Sequence, residues 1–345
     1  MDPYGLRRVV APRGALPQGA AVLDPGLPLG EDELAIDVEA LQVDSAGFRQ
    51  LERAVGTDPA RLAGEIERIV RERGKLHNPV TGSGGMLLGR VAEVGVRHPA
   101  AGRLAPGERI ATLVSLTLTP LALERILAVH PEVDRVDCRG RAILFATGGW
   151  ARLPADVPER VALAALDVCG APALAARHLR PGLRVLVLGA GKAGALVCAA
   201  ARRALGGTGA IVAADRSEAA LAALAAAGLC DRTACVDAAD AVATASAVGA
   251  GGGGAYDLVV SCASGPGTEM AALLAVKDGG TVLFFSMATR FTAAALGAEG
   301  IGRDATLLIG NGYVPGHADL TLSLLRDHAG LRALLDRAAT ESQHA

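Results

Sequence analysis

The chain has 345 residues, enough for two domains, with a net charge of −2 and only 3% aromatic residues. A near-neutral, aromatic-poor chain offers neither the basic patch nor the stacking surface that nucleic acid or an anionic membrane requires, so neither is expected as a partner. Lysine and asparagine are rare: Lys75, Lys192 and Lys277 are the only lysines, Asn78 and Asn311 the only asparagines.

The opening residues have no apolar run behind them, so no signal peptide is expected. Residues 34–39 alternate apolar and polar, the pattern of a half-buried strand. Residues 58–73 carry charge at helical spacing with Pro59 in the first turn, which predicts a surface helix. Strands are predicted at 86–94 and 109–114, the second after the Pro106-Gly107 turn. The uncharged stretch 110–123 is too short to span a bilayer. A linking helix is predicted at 155–168, after Pro154. From Arg184 onward, apolar strands at 184–188, 210–214, 233–236, 258–261, 281–285 and 306–309 alternate with Ala-rich helical stretches. Continuous apolar strands separated by helices indicate a parallel sheet covered on both faces. Six such units make a doubly wound, dinucleotide-binding α/β domain. The low-complexity run 249–254 reads as a flexible loop feeding the fourth strand, and the last 35 residues read as helical. Six cysteines, at 138, 169, 198, 230, 235 and 262, form no Cys-x-x-Cys pair and read as small buried hydrophobes in a cytoplasmic protein.

A bare Gly-x-Gly-x-x-Gly pattern means little here, because 44 glycines in this length predict roughly 0.7 chance matches. Context separates two of them. Gly249, Gly251 and Gly254 precede a strand and read as a decoy, whereas Gly189-Ala190-Gly191-Lys192-Ala193-Gly194 follows an apolar strand and opens a helix. There Gly189 permits the turn, Gly191 lets the backbone approach a pyrophosphate, and Gly194 lets helix and strand pack closely. Asp215 ends the next strand 21 residues after Gly194. A carboxylate there accepts from both ribose hydroxyls; the alternative is a cap for the following helix. Arg216 beside it suits a 2′-phosphate, so NAD is expected, with NADP as the alternative.

Gly89-Arg90-Val91-Ala92-Glu93-Val94-Gly95, Pro106-Gly107-Glu108-Arg109-Ile110 and Arg180-Pro181-Gly182 resemble the medium-chain dehydrogenase/reductase superfamily. That resemblance implies a barrel-like (GroES-like) catalytic domain over 1–155 and a Rossmann domain with C-terminal helices over 156–345. The superfamily's usual returning strands have no counterpart in the helical C-terminal residues. Zinc-dependent members carry three ligands at places that correspond here to Asp44 or Ser45, Gly82-Ser83-Gly84, and the surroundings of Ala164, so the resemblance implies a zinc-free protein. Val43-Asp44-Ser45-Ala46-Gly47-Phe48 and the run from Arg73 through Lys75, His77, Asn78, Thr81 and Ser83 to Met86 are more closely similar to the L-erythro-3,5-diaminohexanoate dehydrogenase family. This implies oxidative deamination of the 3-amine of a diamino acid to 5-amino-3-oxohexanoate and ammonia, as in lysine fermentation, by a homo-oligomer, dimer or tetramer.

Hydride transfer from an amine-bearing carbon leaves an iminium that water attacks, so the site needs a base tuned near neutrality. A second ammonium on the substrate calls for a carboxylate. The loop 75–86 concentrates residue types the composition otherwise avoids. Lys75 and His77 are candidate bases; the alternatives are a solvated helix end and a structural imidazole. Asp44 is a candidate ammonium anchor or proton relay, or else a helix cap. Ser83 is a candidate for catalysis, and Ser45, Asn78 and Thr81 for substrate binding. Asn311, between two glycines, reads as a turn residue. Two further readings stay open: a zinc-free alcohol dehydrogenase or quinone reductase, and a non-catalytic nucleotide-binding sensor or scaffold. The polar loop argues against the last, since a scaffold has little use for so many buried polar groups.

Overall fold

A two-stranded antiparallel ribbon, β1 (Val9–Ala11) and β2 (Val22–Leu23), comes first in the chain. It is tied down by Arg8, whose fully buried guanidinium grips the equally buried Glu33 carboxylate at 2.7 Å through Nε and 2.6 Å through Nη2. Buried charges persist only when paired and hydrogen-bonded. Here the guanidinium also donates to the Asp24 carbonyl, and the Gly30 N–H donates to the Glu33 carboxylate. The computed structural model describes residues 2–77 and 84–341, apart from the side chains of Ser45, Ala46 and 338–341. The chain divides into two units, Met1–Asp156 and Val157–Thr340.

The first unit continues with β3 (Glu33–Gln42), α1 (Ser45–Val55), α2 (Pro59–Arg73), β4 (Met86–Val94), β5 (Arg109–Thr112), β6 (Leu121–His130), β7 (Arg135–Phe145) and β8 (Trp150–Arg152). The six longer-range strands form one antiparallel sheet in the order β6-β7-β3-β4-β5-β8. The expected half-buried strand is in fact central and covered on both faces, with Asp37 its only exposed residue. On one side Ile36, Val38 and Leu41 join the cluster that includes Phe48 of α1 and Leu62 and Ile66 of α2. On the other, Ala35 packs with Ile143 and Phe145. Helix α2 follows its sequence signals. Asp58 caps it by accepting from the N–H groups of Ala60 and Arg61, Pro59 takes the first position, and Leu62, Ile66, Ile69 and Val70 form the buried stripe. Strands β6 and β7 had no counterpart in the sequence reading, and α1 entered it only as the helix that Asp44 would cap. Among the described residues no helix is long and apolar enough to cross a membrane.

The second unit begins with α3 (Glu159–Leu166) and α4 (Gly170–Ala176) in place of the single linking helix expected at 155–168. Pro158 explains the later start, because a proline is tolerated at a helix entrance and not within it. Strands β9 (Arg184–Leu188), β10 (Ala210–Asp215), β11 (Arg232–Cys235), β12 (Tyr256–Ser261), β13 (Val276–Phe284) and β14 (Ala305–Ile309) pair in parallel in the order β11-β10-β9-β12-β13-β14. This is the doubly wound arrangement, whose strand order reverses between β9 and β12. Helices α5 (Lys192–Leu205), α6 (Glu218–Ala226), α7 (Ala241–Ala247), α8 (Glu269–Ala275) and α9 (Phe291–Gly300) connect the strands. After β14 come α10 (His317–Asp327) and α11 (Ala329–Glu341), and no further strand among the described residues. The glycine run 249–254 forms turns leading into β12. Four of the six cysteines are buried as expected; Cys262 is half-buried and Cys235 exposed.

Candidate functional site

In the second unit the chain leaves β9 at Leu188 and turns through Gly189, whose φ of +96° lies in the left-handed region. A Cβ on Gly194 would stand 1.8 Å from the Gly189 carbonyl oxygen, so the first turn of α5 seats on the glycine turn only without one. Nothing lies within 4 Å of the place a Cβ would take on Gly191, which leaves the backbone open to an approaching ligand. The first N–H groups of the 14-residue α5, those of Lys192, Ala193 and Gly194, have no intrahelical acceptor and form an electropositive end suited to a pyrophosphate. Lys192 itself pairs with Asp167 at 3.0 Å.

Asp215 ends β10. Its Oδ2 accepts from the Ala190 N–H at 2.7 Å and its Oδ1 from the Ser217 N–H at 2.8 Å. The next helix, α6, is capped by Ser217, so the alternative reading of Asp215 as that cap does not apply. Its carboxylate instead braces the glycine turn. Asp215 and Arg216 line a cavity of about 250 Å³ with Gly189, Gly191, Asp237 and Thr268. These residues fit a dinucleotide: backbone donors for phosphates and a fixed carboxylate for the ribose diol. Asp237 and Thr268 were missed in the sequence. They follow β11 and β12, and the available signal was that ligands bind beyond the carboxyl ends of parallel strands at a reversal of strand order.

The first unit holds a second cavity, about 180 Å³, lined by Val43, Asp44, Gly47, Gln50, Leu51, Ala54, Glu65, Ile69, Leu76, His77 and Gly84. Its walls are mainly apolar. Two of the sequence candidates meet here. Asp44 caps α1, its Oδ1 accepting from the Gly47 N–H at 2.8 Å, while its buried Oδ2 has no partner among the described residues. A Cβ on Gly47 would lie 2.7 Å from that same Oδ2, so glycine makes room for the carboxylate. The capping reading of Asp44 therefore holds for one oxygen, and the other oxygen is left over. Gly85, at φ +86°, presses against the exit of β3 where a Cβ would meet the Gln42 carbonyl at 2.0 Å. That contact accounts for part of the glycine-rich run.

His77 lines the same cavity, its Nδ1 buried and without a partner among the described residues. Burial first, then the charges of Lys75 and Arg73, hold its pKa below the usual imidazole range, so the neutral ring is favoured. Lys75 is placed differently from expectation. It is fully buried, is absent from the cavity lining, and donates to the carbonyls of Pro17 at 2.9 Å and Thr117 at 2.8 Å. Burial, with a smaller contribution from Arg73, pushes its pKa down to about 8. Neither a solvated helix end nor an amine facing the cavity describes it. Ser45 begins α1, and its side chain lies outside the described residues, as do Asn78, Thr81 and Ser83 entirely. Among the described residues no group of three or more His, Cys, Asp or Glu could hold a metal ion. Asn311 is a turn residue, its Oδ1 accepting from the Tyr313 N–H at 2.8 Å.

Residues 7–154 match the family described as L-erythro-3,5-diaminohexanoate dehydrogenase N-terminal domain. The chain is 46% identical over 336 residues to the L-erythro-3,5-diaminohexanoate dehydrogenase of Acetoanaerobium sticklandii, covering 97% of this chain and 98% of that one. It is 44% identical over 340 residues to the protein of the same name from Fusobacterium nucleatum, covering 96% and 97%. Among solved structures, an alcohol dehydrogenase from Thermotoga maritima shares the fold with a TM-score of 0.55 and 15% identity, over 89% of this chain and 85% of that one.

Proposed function

Because the chain belongs to the L-erythro-3,5-diaminohexanoate dehydrogenase family, we propose that it oxidatively deaminates L-erythro-3,5-diaminohexanoate to 5-amino-3-oxohexanoate and ammonia. The observation that carries this reading is the first unit's cavity, where a carboxylate oxygen and an imidazole nitrogen are buried in mainly apolar walls without partners among the described residues. Unpaired buried polar atoms are costly, and a site that must bind an amine and move its proton is a reason to keep them. The second unit's glycine turn supplies the place for a nicotinamide dinucleotide, which when bound accepts the hydride from the amine-bearing carbon. In balance, the ammonium substrate, oxidised cofactor and water give the ketone, ammonium, reduced cofactor and one proton.

The residues divide the remaining work. Asp44 Oδ2 receives the substrate amine and fixes its orientation. His77, kept neutral, takes the proton that the amine must lose, gives it up to solvent, and then takes a proton from the water that adds to the oxidised carbon. Lys75 acts through position: two residues before His77 in the chain, it joins the 17 and 117 segments. NAD is the cofactor favoured by Asp215, since a 2′-phosphate would face its charge; Arg216, exposed beside it, is the counter-signal for NADP.

The test measures reduction of NAD and NADP together with ammonia release, using 3,5-diaminohexanoate, lysine and simple alcohols. Equal yields of ammonia and reduced cofactor from the diamino acid are expected. Oxidation of alcohols without ammonia would replace this reading with a zinc-free alcohol dehydrogenase, and cofactor binding without turnover of any substrate would replace it with a sensor.

A further inference from the structure

The cavity that holds Asp44 and His77 has a second carboxylate, Glu65, contributed by α2. Its two oxygens are gripped by Arg68 one turn along, at 2.7 and 2.9 Å. The same guanidinium also serves Glu72 at 2.6 Å. Arg68 is thus shared between two carboxylates, and of these three side chains Glu65 is the one that lines this cavity. Hydrogen bonding by Arg68 holds the Glu65 carboxyl below its usual range, so it is ionised at neutral pH. Around it the wall is apolar, with Leu51, Ala54 and Ile69.

A ligand suited to this end of the cavity has a cationic group beside a small apolar one. An ammonium brought into apolar surroundings without a counter-charge is strongly disfavoured, so a substrate with two amines needs two acceptors. We propose that Glu65 is the specificity determinant of this site: it receives the second ammonium of the diamino acid, at C5, while Leu51, Ala54 and Ile69 take the terminal methyl. The inference rests on the deaminase reading, with the reacting amine held by Asp44. Its consequence is discrimination between a 3,5-diamino acid and the 3-amino acid of the same length.

The experiment compares 3,5-diaminohexanoate with 3-aminohexanoate, as kcat/KM or, where turnover is slow, as a competitive inhibition constant. It uses the wild-type protein, Glu65→Gln and Arg68→Gln. Glu65→Gln is expected to reduce the preference for the diamino compound by about tenfold or more, mostly through KM, as for a lost charge-assisted hydrogen bond. Arg68→Gln leaves the carboxylate in place and is expected to keep the preference within about threefold. A Glu65→Gln variant that weakens both compounds equally, or neither, overturns the proposal. Failure of the wild-type protein to release ammonia from either compound would strike the deaminase reading itself and the inference with it.

Discussion

Replacing Lys75 with methionine separates a positioning role from a catalytic one. The side chain is fully buried and its amine donates to the Pro17 and Thr117 carbonyls at 2.9 and 2.8 Å. Methionine keeps most of the stem and removes both donors. Two buried carbonyls left unpaired cost about 1–3 kcal/mol each. Against this stands the relief of an ammonium that burial already disfavours, as its lowered pKa of about 8 records. A net loss of about 3 kcal/mol is expected. For a unit of roughly 150 residues each kcal/mol moves the melting temperature by about 2–4 °C, so Tm should fall by roughly 6–12 °C. The assay pairs calorimetry with turnover measured well below the new melting point. Turnover per folded molecule should stay within about threefold. An unchanged Tm with turnover reduced tenfold or more would refute the reasoning and restore the amine as the base.

Asp44→Asn should leave Tm nearly unchanged, because asparagine caps a helix as well as aspartate does, yet lower kcat/KM for the diamino acid by about tenfold; equal kinetics would remove Asp44 from the mechanism. The acid limb of the kcat/KM profile should lie below the ordinary imidazole value of about 6.5, since burial and the Lys75 charge lower the His77 pKa and the ring accepts a proton only above it. The limb should vanish in His77→Gln, and its persistence there would assign it elsewhere. The same shift makes the unfolded chain bind more protons between the lowered and ordinary values, so His77 contributes stability above about pH 6.5 that is lost as pH falls through this window. Gly194→Ala puts a Cβ 1.8 Å from the Gly189 oxygen, with no side-chain rotation to relieve it, and should weaken cofactor binding roughly a hundredfold, or about 3 kcal/mol, by titration calorimetry. Asp215→Ser should raise KM for NAD about tenfold while that for NADP changes little; equal changes would mean that bracing Ala190 is its whole role.

Which parts of this molecule were legible in advance follows from the range of the interactions involved. The Rossmann strands, α2 with its Asp58 cap and Pro59, and the choice of the 189–194 glycines over the 249–254 decoy are settled within a few residues. Strand periodicity, helix caps and a turn that admits only glycine are local requirements, and the parallel pairing of the six strands follows from their alternation with helices. Strands β6 and β7 were hidden because they bury their faces only through pairing with β3 and packing by α2, and a sheet's faces are decided by its neighbours. Helix α1 was legible only through the capping alternative for Asp44, with Phe48 and Leu51 behind it at helical spacing. The site shows the same division. The unusual residues near 75–77 were visible as composition, but composition cannot say where an amine points. Only the fold sends Lys75 to the carbonyls of residues 17 and 117, far away in sequence, and brings Glu65 from α2 into the wall beside Asp44 and His77. Side-chain direction at a buried site is fixed by partners from several separate segments, and no local pattern in the sequence encodes their meeting.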